Sequence, residues 1–182
     1  ARNPRIATVE PDQLDWLVED PTQTLPWGID RTDVDVAVSI DGLDDQVDAD
    51  VAIVDTGIDM EHPDLRVVGG AHFYYGGKPW RLRSDEDYGD ICGHGTMVAG
   101  IAGAIDNDID VVGVAPGVRL WAFRVFEKGA DGSCTSSYSI VIAAVDWIVA
   151  NRNVFEVANL SLSGGYSQAM NHEVRRAVEA GV

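Results

Sequence analysis

The chain has 182 residues, enough for one domain, and a chain of this size buries roughly 70% of its unfolded surface. Its apolar fraction of 46% is ordinary for a globular protein and argues against disorder. Thirty acids face thirteen bases, and a net charge of −17 repels phosphates, so no nucleic-acid partner is expected.

Asp outnumbers Glu 22 to 8, and Lys78 and Lys128 are the only lysines. A surface of short carboxylates with so little lysine resembles proteins from strongly saline environments, where salt screens self-repulsion. No apolar run approaches the ~20 residues of a membrane span, and no signal peptide opens the chain. A soluble protein with no membrane partner is expected, any targeting segment having been removed or never present. Cys92 and Cys134 make neither a CxxC nor a zinc pattern, and composition leaves both a disulfide and two free thiols open.

Residues 1–21 contain three prolines and no sustained period, which predicts an extended arm. Pro26-Trp27-Gly28, a short helix near Asp30–Ser39 and an acidic loop from Asp41 to Asp50 follow. Val51 to Val54 is a four-residue apolar run between acidic, turn-rich segments, the length of a strand buried on both faces. Asp55-Thr56-Gly57 comes directly after it. In isolation Asp55 reads as a turn acid, yet a carboxylate at the carboxyl end of a parallel strand stands where α/β sheets place chemistry. His62-Pro63-Asp64-Leu65 marks a sharp turn, and 69–90 reads as a Gly-, Tyr- and charge-rich surface loop.

From Gly93 the sequence GHGTMVAGIAGAI predicts a helix of small residues able to press closely on a sheet. The loop DNDIDVVGVAPG leads to a second buried strand, Leu120–Phe126. Apolar residues at helical spacing (Ile140, Ala143, Ala144, Trp147, Ile148) predict a helix over Thr135–Asn151. Val157–Leu162 reads as a third strand, and Asn171–Ala180 as a helix closed by Gly181. Strands alternating with helices predict an α/β fold, a doubly wound parallel sheet with helices on both faces.

Asp55 and His94 are two parts of a nucleophilic triad: the acid would accept the imidazole Nδ1–H, leaving the ring free to take a hydroxyl proton. Gly93 and Gly95 permit tight backbone approach around an exposed imidazole edge. His62 and His172 read as structural or solvated, and His72 as a loop residue with no evident partner.

VAIVDTGIDMEHPDL, GHGTMVAGIAG, NDIDVVGVAP and NLSLSGG, in this order, resemble the subtilisin-like serine proteases (subtilases, peptidase family S8) over about residues 22–182. The resemblance implies a subtilisin-like sheet truncated before its C-terminal part, with Asp55 as triad aspartate and His94 as triad histidine. The implied reaction is peptide-bond hydrolysis through an acyl-enzyme, with polypeptides as substrates. The apolar run before Asp-Thr-Gly also resembles the aspartic-protease signature, but that family is all-β and needs a second such carboxylate.

By the same match, Gly132, Ser133 and Cys134 form one substrate-pairing edge, and Ser161, Leu162, Ser163 and Gly164 the opposite edge and pocket wall. The family's usual double glycine after the leucine is Ser163-Gly164 here. A structural Ca²⁺ site is implied at Gln23, Asp64 and Asn107 through side chains, and at Ile105, Ile109 and Val111 through carbonyls. An all-oxygen set on loops suits that ion. Val9-Glu10-Pro11-Asp12 resembles the end of a family propeptide, so residues 1–21 would be a propeptide tail bound at the cleft, and 22–182 an incomplete catalytic domain. Cys92 and Cys134 would then both rim the cleft, and a disulfide between them fits a secreted enzyme. Such a bridge would contribute about 4 kcal/mol in the chain-entropy treatment.

The third triad member is absent. The family's GTSxA serine and AAAGN-like asparagine have no counterpart, and Ser161 and Ser163 fall at substrate-edge positions. The 182 residues alone are therefore predicted inactive, as the N-terminal portion of a subtilase or, alternatively, a catalytically inactive fragment or relic. Circular dichroism between molar and millimolar salt tests the saline reading: the fold should loosen at low salt, and an unchanged spectrum would contradict it.

Overall fold

A computed structural model describes residues 23–31, 47–76 and 82–182. The arm over 1–21, the greater part of the helix expected near Asp30–Ser39 and most of the acidic loop lie outside them. Helix α1 spans Trp27–Asp30.

The run VAIV forms the middle of β1 (Asp50–Asp55), the strand around which the sheet is laid. Ala52, Ile53 and Val54 are all fully buried. Their alternation sends Ala52 and Val54 into one apolar cluster and Ile53 into another. A strand read as apolar at every position is thus one with a layer on each face. On one side β1 pairs in parallel with β4 (Arg119–Arg124), and on the other with β7 (Val157–Asn159). Beyond β4 lie β2 (Val67–Tyr75), parallel to it, and β3 (Leu82–Asp85), antiparallel to β2. The order is β3-β2-β4-β1-β7, with a separate two-stranded pair of β5 (Glu127–Lys128) and β6 (Cys134–Thr135).

The two faces are filled differently. One carries α3 (Tyr138–Ala150) and α4 (Gln168–Ala180) over Phe123, Val125 and Phe155. Phe155 meets Phe123 and Trp121 edge-on, with ring centroids 5.7 and 5.5 Å apart. The other face carries α2 (His94–Gly103), whose small residues let the helix axis lie close. Gly95, Ala99 and Gly103 are its buried residues, and a Cβ on Gly103 would stand 2.5 Å from Val118 Cγ1.

At the amino end of β1, Asp50 accepts from Arg119 Nε (2.9 Å) and Nη2 (2.6 Å) and from Trp121 Nε1 (2.6 Å). The Arg119 hydrogen bonds, against the cost of burial, hold the Asp50 carboxyl below the usual carboxylate range.

Several expectations change. The stretch 69–90 is not one surface loop, since it contains most of β2 and all of β3. Gly69 and Gly70 hide the strand from any alternation, yet they are what lets β2 lie beside β4. A Cβ on Gly69 would press into the Trp121 ring at 2.6 Å, and one on Gly70 would overlap the Ala122 carbonyl. His72 is likewise not a loop residue without partners. It is buried on β2, with Nδ1 3.3 Å from Asp85 Oδ1 and Nε2 2.6 Å from Glu127 Oε1. The sheet is mixed, its antiparallel pair confined to the β3 edge. Helix α3 starts at Tyr138 because Thr135 is taken up in β6. Strand β7 stops at Asn159, and α4 begins at Gln168, where Ser167 Oγ accepts from Met170 N at 3.2 Å. The αL residue closing α4 is Gly181, as expected.

Candidate active site

Asp55 is the last residue of β1, at the carboxyl end of a sheet whose neighbouring strands run parallel. His94 is the first residue of α2. The two meet because the backbones carrying them come unusually close: Gly57 has φ +103°, and a Cβ there would overlap the Gly89 carbonyl. A Cβ on Gly95 would overlap the Gly57 carbonyl and lie 3.2 Å from Asp55 Cβ. Gly95 thus packs directly on the Gly57 carbonyl, and Gly57 in turn on the backbone of Gly89.

His94 Nδ1 lies 2.7 Å from Asp55 Oδ1, which also accepts from the Thr56 backbone N–H at 2.7 Å. The Asp55 side chain is 0% exposed and the His94 side chain 47%. A carboxylate only accepts, so Nδ1 carries a proton, and in the neutral ring the lone pair is then on Nε2. Asp55 Oδ2 is buried with no hydrogen-bond partner among the described residues. The arrangement is an oriented, accessible base on a buried acid, able to take a proton from a hydroxyl.

The segment leading into His94 is braced from outside by three contacts. Cys92 is disulfide-bonded to Cys134 of β6, with Cα atoms 6.7 Å apart. Lys128 Nζ donates to the Ile91 carbonyl at 3.1 Å, and Arg124 Nη1 to the Gly89 carbonyl at 3.3 Å. Sequence reasoning singled out neither Arg124 nor Lys128, since isolated bases on strands carry no motif.

The residues matched to substrate edges are placed as follows. Gly132 has φ +83° in a tight turn where Gly129 N donates to Ser133 O at 2.8 Å. Asp131 Oδ1 accepts from Ser133 N (3.0 Å) and Ser133 Oγ (2.6 Å). Cys134 pairs with Lys128 across β5 and β6. Ser161, Ser163 and Gly164 are exposed beyond β7, Leu162 is half-buried against the aromatic face, and Asn159 Nδ2 donates to Ser161 Oγ at 3.0 Å. Tyr138, the first residue of α3, links the two regions: its hydroxyl donates to the Gly165 carbonyl at 2.5 Å and fills the space a Cβ on Gly164 would need. No sequence signal set Tyr138 apart from the helix it opens.

The six residues matched to calcium also come together. Gln23 Nε2 donates to the carbonyls of Ile105 (2.5 Å) and Val111 (3.1 Å), and its Oε1 accepts from Asn107 N (2.9 Å). Asp64, 1% exposed, accepts from Asn107 Nδ2 at 2.9 Å and Val111 N at 3.4 Å. Ile109 N donates to Asn107 Oδ1 at 2.7 Å. A half-turn of the Gln23 amide, which exchanges O and N without changing shape, sets Oε1 beside both carbonyls. Beside the buried Asp64 carboxylate, Gln23 Oε1 and the carbonyls of Ile105 and Val111 are then oxygens of the kind a hard cation takes, while Asn107 Oδ1 accepts from Ile109 N. Among the described residues no three or more His, Cys, Asp or Glu side chains cluster as a metal site, so any ion here would rest on Asp64 together with amide and carbonyl oxygens. No helix among the described residues is long and apolar enough to cross a membrane.

The Subtilase family profile matches residues 48–182. Subtilisin E of Bacillus subtilis (strain 168) is 34% identical over 182 residues, covering 100% of this chain and 43% of that protein. Subtilisin DY of Bacillus licheniformis is 38% identical over 162 residues (88% of this chain, 53% of that protein). Alkaline elastase YaB of Bacillus sp. (strain YaB) is 39% identical over 181 residues, or 99% and 42%. The chain therefore spans about half or less of the length of these relatives. With the family profile on 48–182 and the Asp55–His94 pair inside that span, the chain belongs to the subtilase family.

Proposed function

We propose that this chain supplies the acid and base of a Ser-His-Asp endopeptidase that hydrolyses peptide bonds. The observation that carries the reading is the 2.7 Å contact between His94 Nδ1 and a fully buried Asp55, on an imidazole whose side chain is 47% exposed. Asp55 fixes the ring and stabilises the imidazolium that forms when Nε2 takes a proton. Nε2 would remove the proton of a serine hydroxyl as it attacks the scissile carbonyl, then return it to the leaving amine. The serine and the oxyanion donor of a GTSxA and AAAGN-like pair are not among the 182 residues, so the chain by itself is inactive. The alternative reading is a catalytically silent relic of the family. Polypeptide substrates would lie extended between Gly132–Cys134 and Ser161–Gly164, and a propeptide tail would occupy the same cleft before maturation. The disulfide fits export, and the acidic surface a saline setting.

Expression of the gene through its own stop codon, followed by a casein assay, tests the reading. Hydrolysis is expected, and Asp55→Asn should lower kcat by roughly 10⁴-fold. A full gene product without activity, or one indifferent to Asp55→Asn, would overturn it in favour of the relic.

We propose further that Gln23, Asp64 and Asn107, with the carbonyls of Ile105, Ile109 and Val111, hold a structural Ca²⁺. The ion's charge would satisfy the buried Asp64 and fasten the segment before α1 to the loop after α2. Calcium should raise the thermal midpoint of the chain and a chelator lower it, while Asp64→Asn should abolish the response. A midpoint that ignores both additions would refute the site.

A further inference from the structure

We propose that Asp90 is a positioning residue for the Asp55–His94 pair, its carboxylate tying the turn after Asp55 to the backbone on both sides of His94. Its consequence for catalysis rests on the endopeptidase reading, but its geometry does not.

Asp90 Oδ1 accepts from Thr56 Oγ1 at 2.8 Å and from the backbone N–H groups of Cys92 and Gly93, both at 2.9 Å. Oδ2 accepts from Thr96 N at 2.9 Å and Thr96 Oγ1 at 2.5 Å. The direction of the two hydroxyl bonds is forced. Thr56 Oγ1 is already the acceptor for Gly95 N (2.9 Å), and Thr96 Oγ1 for Asp59 N (2.9 Å). A backbone N–H can only donate, so each hydroxyl turns its single hydrogen to Asp90. Five donors and no acceptor meet one carboxylate, an environment that only the anion satisfies. Burial raises the Asp90 carboxyl, and the hydrogen bonds from Thr96, Cys92 and Thr56 more than reverse this, leaving it below the usual carboxylate range.

The placement gives the network its function. Thr56 follows Asp55, Gly93 precedes His94, and Gly95 follows it, so the carboxylate grips the chain immediately beside both members of the pair. The N-cap of α2 is Gly93, with φ +88° and no side chain to cap the helix. Asp90 takes over that task, setting negative charge at the positive end of α2. The disulfide, Lys128 and Arg124 brace this loop toward β4 to β6, whereas Asp90 joins it inward to the strand end bearing Asp55. A slip of the His94 backbone would lengthen the Nδ1 bond and release the ring to the other tautomer. Asp90→Asn would place an NH₂ group among donors, breaking at least part of the network while preserving shape.

Ring ¹⁵N spectra of the histidine-labelled chain, at alkaline pH where the imidazole is neutral, read this directly. Wild type should show His94 almost wholly as the Nδ1–H tautomer. Asp90→Asn should lower the ratio of Nδ1–H to Nε2–H by roughly tenfold, the weight of about one hydrogen bond. Thr56→Ser, which keeps the hydroxyl, should retain the wild-type ratio, and Thr56→Val should lose it. Circular dichroism reports whether each variant is folded. A folded Asp90→Asn protein with the wild-type ratio would overturn the proposal. If Asp90→Asn does not fold, an unchanged ratio in Thr56→Val overturns it instead. A wild-type chain without the Nδ1–H tautomer would refute the pair itself. A full gene product that fails on casein while Asp90→Asn still shifts the ratio would sink the endopeptidase reading and leave the positioning role standing.

Discussion

A buried carboxylate at the end of a buried strand must find donors, and Asp55 finds its principal one in a side chain from the opposite element, His94. That requirement governs much of the local architecture. An isolated anion in this position would be costly, so strand, turn and helix start have to be brought within hydrogen-bond reach of one another. They are, through the approach of Gly95 to the Gly57 carbonyl and of Gly57 to the Gly89 carbonyl, where a Cβ on either glycine would displace backbone. The small residues of α2 extend the same constraint along the helix, keeping it close to the sheet beneath. The opposite face has no such demand and is filled with bulk, from Phe123, Phe155 and Trp147.

The two ends of β1 show how partner choice separates structure from chemistry. Asp50 and Asp55 are both buried aspartates of one strand. Asp50 is closed off by the Arg119 guanidinium and the Trp121 indole, neither of which exchanges protons in the working range. Asp55 faces an imidazole that is half exposed and whose Nε2 has no hydrogen-bond partner among the described residues. The first is a fastening, and the second is a site.

The elements readable in the sequence are those whose physical cause is local. The VAIV run by its length, the helix after Gly93 by its small residues and Ile140 to Ile148 by their helical spacing each carry a local signal, and the structure has each of them. Asp55 and His94 were legible through motifs whose glycines the structure explains. Strand β2 was not, because Gly69 and Gly70 are chosen by the neighbours Trp121 and Ala122, which lie far off in sequence. For the same reason His72 looked unpartnered: its acids, Asp85 and Glu127, come from β3 and β5. Asp90 stood in an apparent surface loop as one acid among many, and only the convergence of Thr56, Cys92, Gly93 and Thr96 upon it sets it apart.

The central claim is that Asp55 and His94 form a preassembled, oriented acid–base pair within this chain. Proton NMR of the chain addresses this most directly, since a hydrogen-bonded imidazole Nδ1–H is shielded from exchange and resonates far downfield of the amides. The account predicts one such signal that disappears in both His94→Ala and Asp55→Asn. A folded chain with no downfield signal lost in His94→Ala, or one whose His94-dependent signal survives Asp55→Asn, would contradict it; a signal from the buried His72 is unaffected by either variant.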